Sequence, residues 1–161
     1  MTASPTRLPV VFVAAAALAA LGLGCEPPKP GIPVTFENVC SAEFDPVMEK
    51  GLNVTKKVAI EGYVGAPRSM FKVCSDTCDF NLFSEPGNKG RLVNADVPVG
   101  DGKNQIERLP KNFTDKDLKL HTSDGKVVGV GAKVRITGGR APAGGKREAC
   151  SLWAVTLIEA L

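Results

Sequence analysis

The chain has little histidine and tyrosine, two of the residues on which enzymes rely for proton transfer. It has one histidine, one tyrosine and one tryptophan, and aromatic residues make up 6% of the sequence. A serine nucleophile would have to use His121 as its base, and this histidine lies in a polar stretch beside a predicted turn. The acids Asp115 and Asp117 fall in a charged run that is typical of a helix start. We therefore expect a protein without catalytic residues and without a cofactor.

A large excess of charge of either sign is also missing. Lysine and arginine number 20 against 17 acidic residues, which gives a formal net charge of +3 at pH 7. Dedicated nucleic-acid-binding proteins have a strong basic excess. Gly129 and Gly131 lack the Gly-Lys or third glycine of a phosphate-binding loop. Nucleic acids and nucleotides are therefore not the expected partners.

No apolar stretch is long enough to span a membrane comfortably. Residues 10–21 form the main apolar run, whereas a spanning helix needs roughly 20 apolar residues. Arg7 precedes this run, and small residues and Cys25 follow it, which is the order of a secretory signal. The segment Leu21-Gly22-Leu23-Gly24-Cys25 resembles the lipobox of bacterial lipoproteins.

The lipoprotein resemblance implies that residues 1–24 are removed and that Cys25 becomes the new amino terminus, acylated for example with palmitate and carrying a diacylglyceryl group on its sulfur. Several acyl chains on one residue would anchor the protein stably to a lipid bilayer. The expected location is the bacterial cell envelope, at the outer membrane facing the periplasm. The proline-rich residues 25–33 would form an extended tether, and residues 34–161 the folded domain. The alternative is an ordinary secreted protein in which Cys25 is a thiol.

Four cysteines remain once Cys25 is lipidated, and an even number behind an export signal indicates disulfide bonds. They are Cys40, Cys74, Cys78 and Cys150. Three pairings are open to four cysteines. We favour Cys74–Cys78 together with Cys40–Cys150, because residues only four positions apart are necessarily close in space.

An alternative function rests on Cys74 and Cys78 as thiols. Soft thiolates select Cu(I), with His121 and Met70 as further ligands, and the same pair could serve in thiol redox chemistry. Thiolates must be reduced to bind a metal, however, and an oxidising compartment favours the disulfide. The spacing of a four-ligand zinc site is absent. We therefore expect no metal.

Five segments carry the two-residue alternation that is typical of half-buried strands. They cover residues 58–64, 78–83, 91–99, 133–138 and 151–161. In the last of them, Trp153, Val155 and Leu157 are expected on one face. A short helix is predicted over residues 45–51, which have Asp-Pro at their start and Gly at their end. The insert 100–131 is expected to hold a helical turn near Thr114 and then a hairpin.

The amino-acid sequences of these strands resemble those of the small bacterial periplasmic OB-fold family. The segments similar to its first, second and fourth strands are Val58-Ala59-Ile60-Glu61-Gly62-Tyr63-Val64, Phe80-Asn81-Leu82-Phe83 and Val134-Arg135-Ile136-Thr137-Gly138. The resemblance implies an all-β fold, a five-stranded OB-fold-like Greek-key barrel with a short N-terminal helical extension and an insert between strands 3 and 4. It also implies a non-catalytic binding module. A seven-strand sandwich is the alternative fold.

An OB-fold binds its ligand across strands 2 and 3, between the loops that join strands 1–2 and 4–5. The candidate ligand-binding residues are Arg68 and Lys72 in the first loop, Arg140, Lys146 and Arg147 in the second, and Tyr63 and Phe83 on the outer strand faces. Cationic loops beside exposed aromatics suit an anionic ligand, such as a lipid head group or a glycan, or an envelope protein. The alternative is that these loops are only solvated surface.

Overall fold

The structure is a computed structural model, and it describes residues 29–49, 52–67, 74–141 and 150–161. In chain order, the first six strands are β1 (Ile32–Val34), β2 (Val47–Glu49), β3 (Leu52–Val54), β4 (Lys57–Gly65), β5 (Thr77–Glu85) and β6 (Lys89–Pro98). The remaining strands are β7 (Gln105–Ile106), β8 (Leu120–His121), β9 (Val127–Val128), β10 (Lys133–Arg140) and β11 (Ser151–Ala160). Two single 3-10 turns, Ala42–Phe44 and Asp115–Asp117, supply the helical residues of the described chain.

Five of these strands close into a barrel in the order β4-β5-β6-β11-β10. The barrel is closed because β4 pairs with β10 along one edge and with β5 along the other. β6 and β11 run parallel, whereas the other four ladders are antiparallel. This is the connectivity of an OB-fold-like Greek-key barrel, and the predicted fold class is confirmed.

Alternate residues of the barrel strands fill a single core. Val58 and Ile60 of β4, and Phe80 and Leu82 of β5, are fully buried. Burying an apolar side chain of this size contributes roughly 1.5–3 kcal/mol. The residues between the buried ones lie on the other side of their strands, where Ala59 is half-buried and Asn81 is covered. The alternation in the sequence therefore determines which face of each strand points inward.

The insert between β6 and β10 covers one side of this core. Its strands form a small sheet in the order β7-β8-β9, and Ile106, Leu118 and Leu120 join the core cluster. Thr114 begins the second 3-10 turn, and its backbone N–H donates a hydrogen bond of 2.6 Å to the carboxylate of Asp117 in a capping box. The helical turn and the hairpin predicted for the insert are both confirmed.

The helix predicted over residues 45–51 is wrong. In the described part of this stretch, β2 is a strand that pairs antiparallel with β3, while the 3-10 turn nearby ends at Phe44. Asp45 is extended, with ψ of 142°, because a residue before proline is pushed out of the helical region. A helix of one or two turns also has little stability of its own. The helical part of the N-terminal extension is thus a single turn.

The N-terminal extension, residues 29–56, is fastened to the barrel covalently. Disulfides join Cys40 to Cys150 and Cys74 to Cys78, which confirms the predicted pairing. The first of them links residues that are 110 positions apart and ties the extension to the start of β11. β1 runs parallel to β4 at its edge. The tether expected over residues 25–33 therefore ends in a strand, and Pro33 fits there because an edge strand needs no N–H on its outer side.

An irregularity in β11 turns one aromatic side chain outward. The β10–β11 ladder shifts its register between the pairs Thr137–Leu157 and Gly139–Trp153, and Ala154 has a positive φ of 46°. Trp153 is 38% exposed, whereas Val155 is buried. The prediction that Trp153, Val155 and Leu157 share one face is wrong, because a bulge re-aims the side chains that precede it.

Candidate functional site

The outer surface of β5 and β6 corresponds to the surface on which an OB-fold binds its ligand. Phe80 and Leu82 belong to the core, so the residues that alternate with them point outward. Three cross-strand pairs make up this surface, which we call the β5–β6 face: Asp79 with Asp96, Asn81 with Asn94, and Phe83 with Leu92. The face therefore carries two carboxylates and two amides, of which Asn81 is only 4% exposed.

The charge of the β5–β6 face is negative. Asp79 and Asp96 lie directly opposite each other, and like charges in such positions repel. An anionic ligand would have to make its favourable contacts with cations in the flanking loops.

The described ends of the two flanking loops lie next to the same row of residues on the β5–β6 face. The side-chain amide of Asn81 donates a hydrogen bond of 2.7 Å to the carbonyl of Ala66, where the first loop begins. Asn94, opposite Asn81, also pairs with Ser151, which follows the second loop. The described ends of both loops thus lie on the same side of the barrel. Five predicted site residues fall outside the described residues: Cys25, Arg68, Lys72, Lys146 and Arg147.

The two predicted aromatic contacts differ in accessibility. Tyr63 of β4 lies opposite Phe83 of β5, and Phe83 is not part of the core cluster, as expected for an outward residue. Phe83 is nevertheless only 2% exposed. Its ring lies against Gly65, where an added Cβ would come within 2.4 Å of a ring carbon. Phe83 is therefore covered rather than presented to a ligand, whereas Tyr63 is only partly buried.

Arg140 is the last residue of β10 rather than a loop residue, and it is 1% exposed. Its guanidinium donates a hydrogen bond of 2.6 Å to the carbonyl of Ser41 and forms an ion pair with Asp45. Both partners belong to the N-terminal extension. Arg140 therefore holds the extension on the barrel, and its predicted place at the ligand site is corrected. Its carboxylate partner is 95 positions away in the sequence, so no local pattern reveals the contact.

The CxxxC pair forms a buried disulfide. Cys74 and Cys78 are bonded to each other, and both side chains are buried. The guanidinium of Arg108 donates hydrogen bonds to the carbonyls of Cys74 and Ser75 and so positions the segment. Copper binding would first require reduction of this bond, because the thiolate is the metal ligand.

The side chain of His121 contacts a carboxylate instead of a sulfur. Its Nε2 lies 3.2 Å from Oε1 of Glu107. The pKa of Glu107 is lowered, chiefly because Lys119 donates a hydrogen bond to its carboxylate. Within the described ranges, no three His, Cys, Asp or Glu side chains are grouped as a metal site. Met70 lies outside those ranges.

A second concave surface lies on the outer wall of β4, β10 and β11. It is a groove of about 550 Å³ between these strands and residues 30–37. Arg135 lines it and forms ion pairs with Glu61 at 2.6 Å and Glu159 at 3.6 Å. The pKa of Glu61 is lowered, chiefly because Arg135 donates a hydrogen bond to it. These charges satisfy one another, whereas the β5–β6 face is the surface that the described ends of both predicted loops border.

No helix in the described part of the chain has both the length and the apolar character to cross a membrane.

The sequence and the fold were also compared with those of known proteins. No protein-family model matches the chain. Searches of curated proteins and of solved structures also find no match.

Proposed function

We propose that the protein is an envelope lipoprotein, anchored through acylated Cys25, that carries a non-catalytic OB-fold binding module. The ligand site is the β5–β6 face with its two flanking loops. The observation that carries this proposal is the convergence of the described loop ends on the row Asn81, Asn94 and Ser151. The OB-fold uses this combination of strand face and loops for binding. The ligand or partner is an envelope component, either anionic or a protein.

The anchor is tested first. We expect Cys25→Ser to move the protein from the membrane fraction to the soluble fraction and to abolish the mass gained from acyl chains. The physical reason is that burial of the chains, at about 0.8 kcal/mol per CH₂ group, supplies the membrane affinity. Fractionation and mass spectrometry of the intact protein measure both effects. An unchanged membrane fraction would contradict the lipid anchor.

Binding of an anionic ligand is tested on the soluble Cys25→Ser protein with dextran sulfate as the probe. We expect Lys146→Ser with Arg147→Ser to weaken binding roughly 2- to 30-fold, since exposed ion pairs contribute about 0.2–1 kcal/mol each. Asp96→Asn should strengthen binding, because it removes a repelling charge from the β5–β6 face. Titrations at low and high salt measure these changes.

The matched control for this titration removes two exposed lysines of the insert, with Lys111→Ser and Lys116→Ser. It changes the net charge equally and should leave binding unchanged. Equal weakening by both pairs of substitutions would mean that the polymer responds only to net charge. The β5–β6 face would then not be an anion site.

A further inference from the structure

Exposed apolar side chains are concentrated at one end of the barrel. In the described part of the chain, seven large apolar side chains are exposed. Four of them form what we call the apolar end patch: Ile32, Val47, Val54 and Trp153. Met48 pairs with Asn53 and so points to the opposite face of the β2–β3 ribbon from Val47 and Val54. The other two, Val127 in the insert and Leu161 beside Lys133, lie toward the other end.

The register of the strands brings the members of this patch together. Ile32 is opposite Val58, and the next row of the barrel joins Lys57 to Gly139 and Gly139 to Trp153. Thr55, which follows β3, lies beside this row, because a Cβ on Gly139 would be 2.8 Å from its hydroxyl. Val47 and Val54 form the cross-strand pair at the base of β2 and β3, next to Thr55.

Trp153 has the orientation of an interfacial aromatic residue. The bulge in β11 leaves its side chain 38% exposed, while its indole N–H donates a hydrogen bond of 3.1 Å to the carbonyl of Arg140. The polar atom is thus satisfied within the protein. The ring can therefore enter an apolar medium without leaving a buried donor unpaired.

The tether leaves the barrel at this same end. Ile32 follows Cys25 by seven positions, and a fully extended chain of that length spans at most about 25 Å. Gly31 lies directly on β4, since a Cβ there would be 2.5 Å from the carbonyl carbon of Val58. A lipid anchor at Cys25 would therefore keep the apolar end patch close to the bilayer surface.

The charges around the patch nearly cancel. Lys56 donates a hydrogen bond to the carbonyl of Glu43, and Lys57 lies beside Thr156, while Glu43 and Glu49 are also exposed. Counted over the described residues only, two lysines oppose two glutamates, and Lys29, two positions before Gly31, adds one positive charge. Contact with lipid would have to come from the apolar side chains, and such contact is insensitive to salt.

We propose that the apolar end patch rests on the phospholipid bilayer, with Trp153 inserted at the level of the lipid head groups. This inference rests on the lipid anchor proposed above. Tryptophan is enriched at membrane interfaces; the N–H of Trp153 is bonded to Arg140, so the apolar part of its ring is what would meet the lipid. The docked barrel has a fixed orientation, with its insert directed away from the membrane.

The test uses the acylated protein in phosphatidylcholine vesicles whose acyl chains carry bromine near the head group. Trp153 is the single tryptophan of the chain, so its fluorescence reports on this position alone. We expect the brominated lipid to quench Trp153 emission, and we expect the same quenching at high salt. Val47→Ser with Val54→Ser should reduce the quenching, because it replaces the cross-strand apolar pair of the patch.

The matched control is Val127→Ser with Leu161→Ser, two equally exposed apolar residues away from the patch. It should leave the quenching unchanged. Protein that floats with the vesicles but shows no quenching would overturn the docking and leave the anchor intact. Emission that depends on protein concentration but not on bromine would indicate that a second copy of the protein covers the patch. That result would also overturn the docking of the patch on the bilayer. Protein that does not float would overturn both proposals.

Discussion

Asp45→Ala should lower the free energy of unfolding by about 1.5–3 kcal/mol, the contribution of a hydrogen bond to a charged group, because the buried guanidinium of Arg140 loses its carboxylate partner. Arg140 is 1% exposed and cannot turn to water, whereas Asp45 is 36% exposed. Arg140→Met should therefore cost less than Asp45→Ala, since the remaining carboxylate can be hydrated. Urea denaturation at neutral pH measures both changes.

A double variant tests directly whether Asp45 and Arg140 act as a pair. Asp45→Ala with Arg140→Met should be more stable than Asp45→Ala alone, because removing both members of a buried ion pair is often nearly neutral. Among the described residues, Nε of Arg140 has no hydrogen-bond partner, so the pair is not fully satisfied to begin with. The control is Asp101→Ala at an exposed position of the insert, which should change stability by less than about 0.5 kcal/mol. Strictly additive losses at Asp45 and Arg140 would contradict the ion pair.

Replacing Cys40 and Cys150 together with serine should lower the free energy of unfolding by about 2–5 kcal/mol, near the upper end of that range. The bond closes a loop between residues 110 positions apart. A disulfide that closes a longer loop removes more conformational entropy from the unfolded chain and so stabilises the folded state more. The comparison variant, serine at Cys74 and Cys78, opens a much shorter loop and should cost about 2 kcal/mol. Urea denaturation of both variants gives the difference.

Peptide mapping without reduction provides the second measurement. It should recover the peptide of Cys40 joined to that of Cys150. A bond from Cys40 to Cys74 or Cys78 would refute the pairing. The loss from breaking the Cys40–Cys150 bond should also not add to the loss from Asp45→Ala, because both contacts hold the same extension on the barrel and neighbouring effects are coupled.

The barrel strands could be predicted because each one is encoded by an alternation of residues that are neighbours in the sequence. In β4, for example, Val58, Ile60 and Val64 alternate with outward residues, and this alternation is visible in the sequence and preserved in the structure. The stretch from Asp45 to Glu49 shows the opposite case. Its Asp-Pro start resembles a helix start, but pairing with β3 and the constraint before Pro46 decide its conformation.

The candidate site was predictable only in outline. The position of the β5–β6 face follows from the fold, and Tyr63 and Phe83 do lie on strands around it. The burial of Phe83 depends on the close approach of Gly65, which no periodicity shows. Arg140 stands in a glycine-rich basic stretch that has the composition of a solvated loop. Its partners come from the far end of the chain, so composition alone could not identify it as a buried residue.

The order of strands around the barrel has a consequence for how the protein reaches its native state. β11 is inserted between β6 and β10, so the ladder cannot close until the most C-terminal described strand is in place. The parallel pairing of β6 with β11 and the bond from Cys40 to Cys150 both join distant parts of the chain. Contacts between distant residues slow folding to the range of milliseconds to seconds. Closure of the barrel therefore waits for β11, and until then the unpaired edges of β6 and β10 need protection from aggregation.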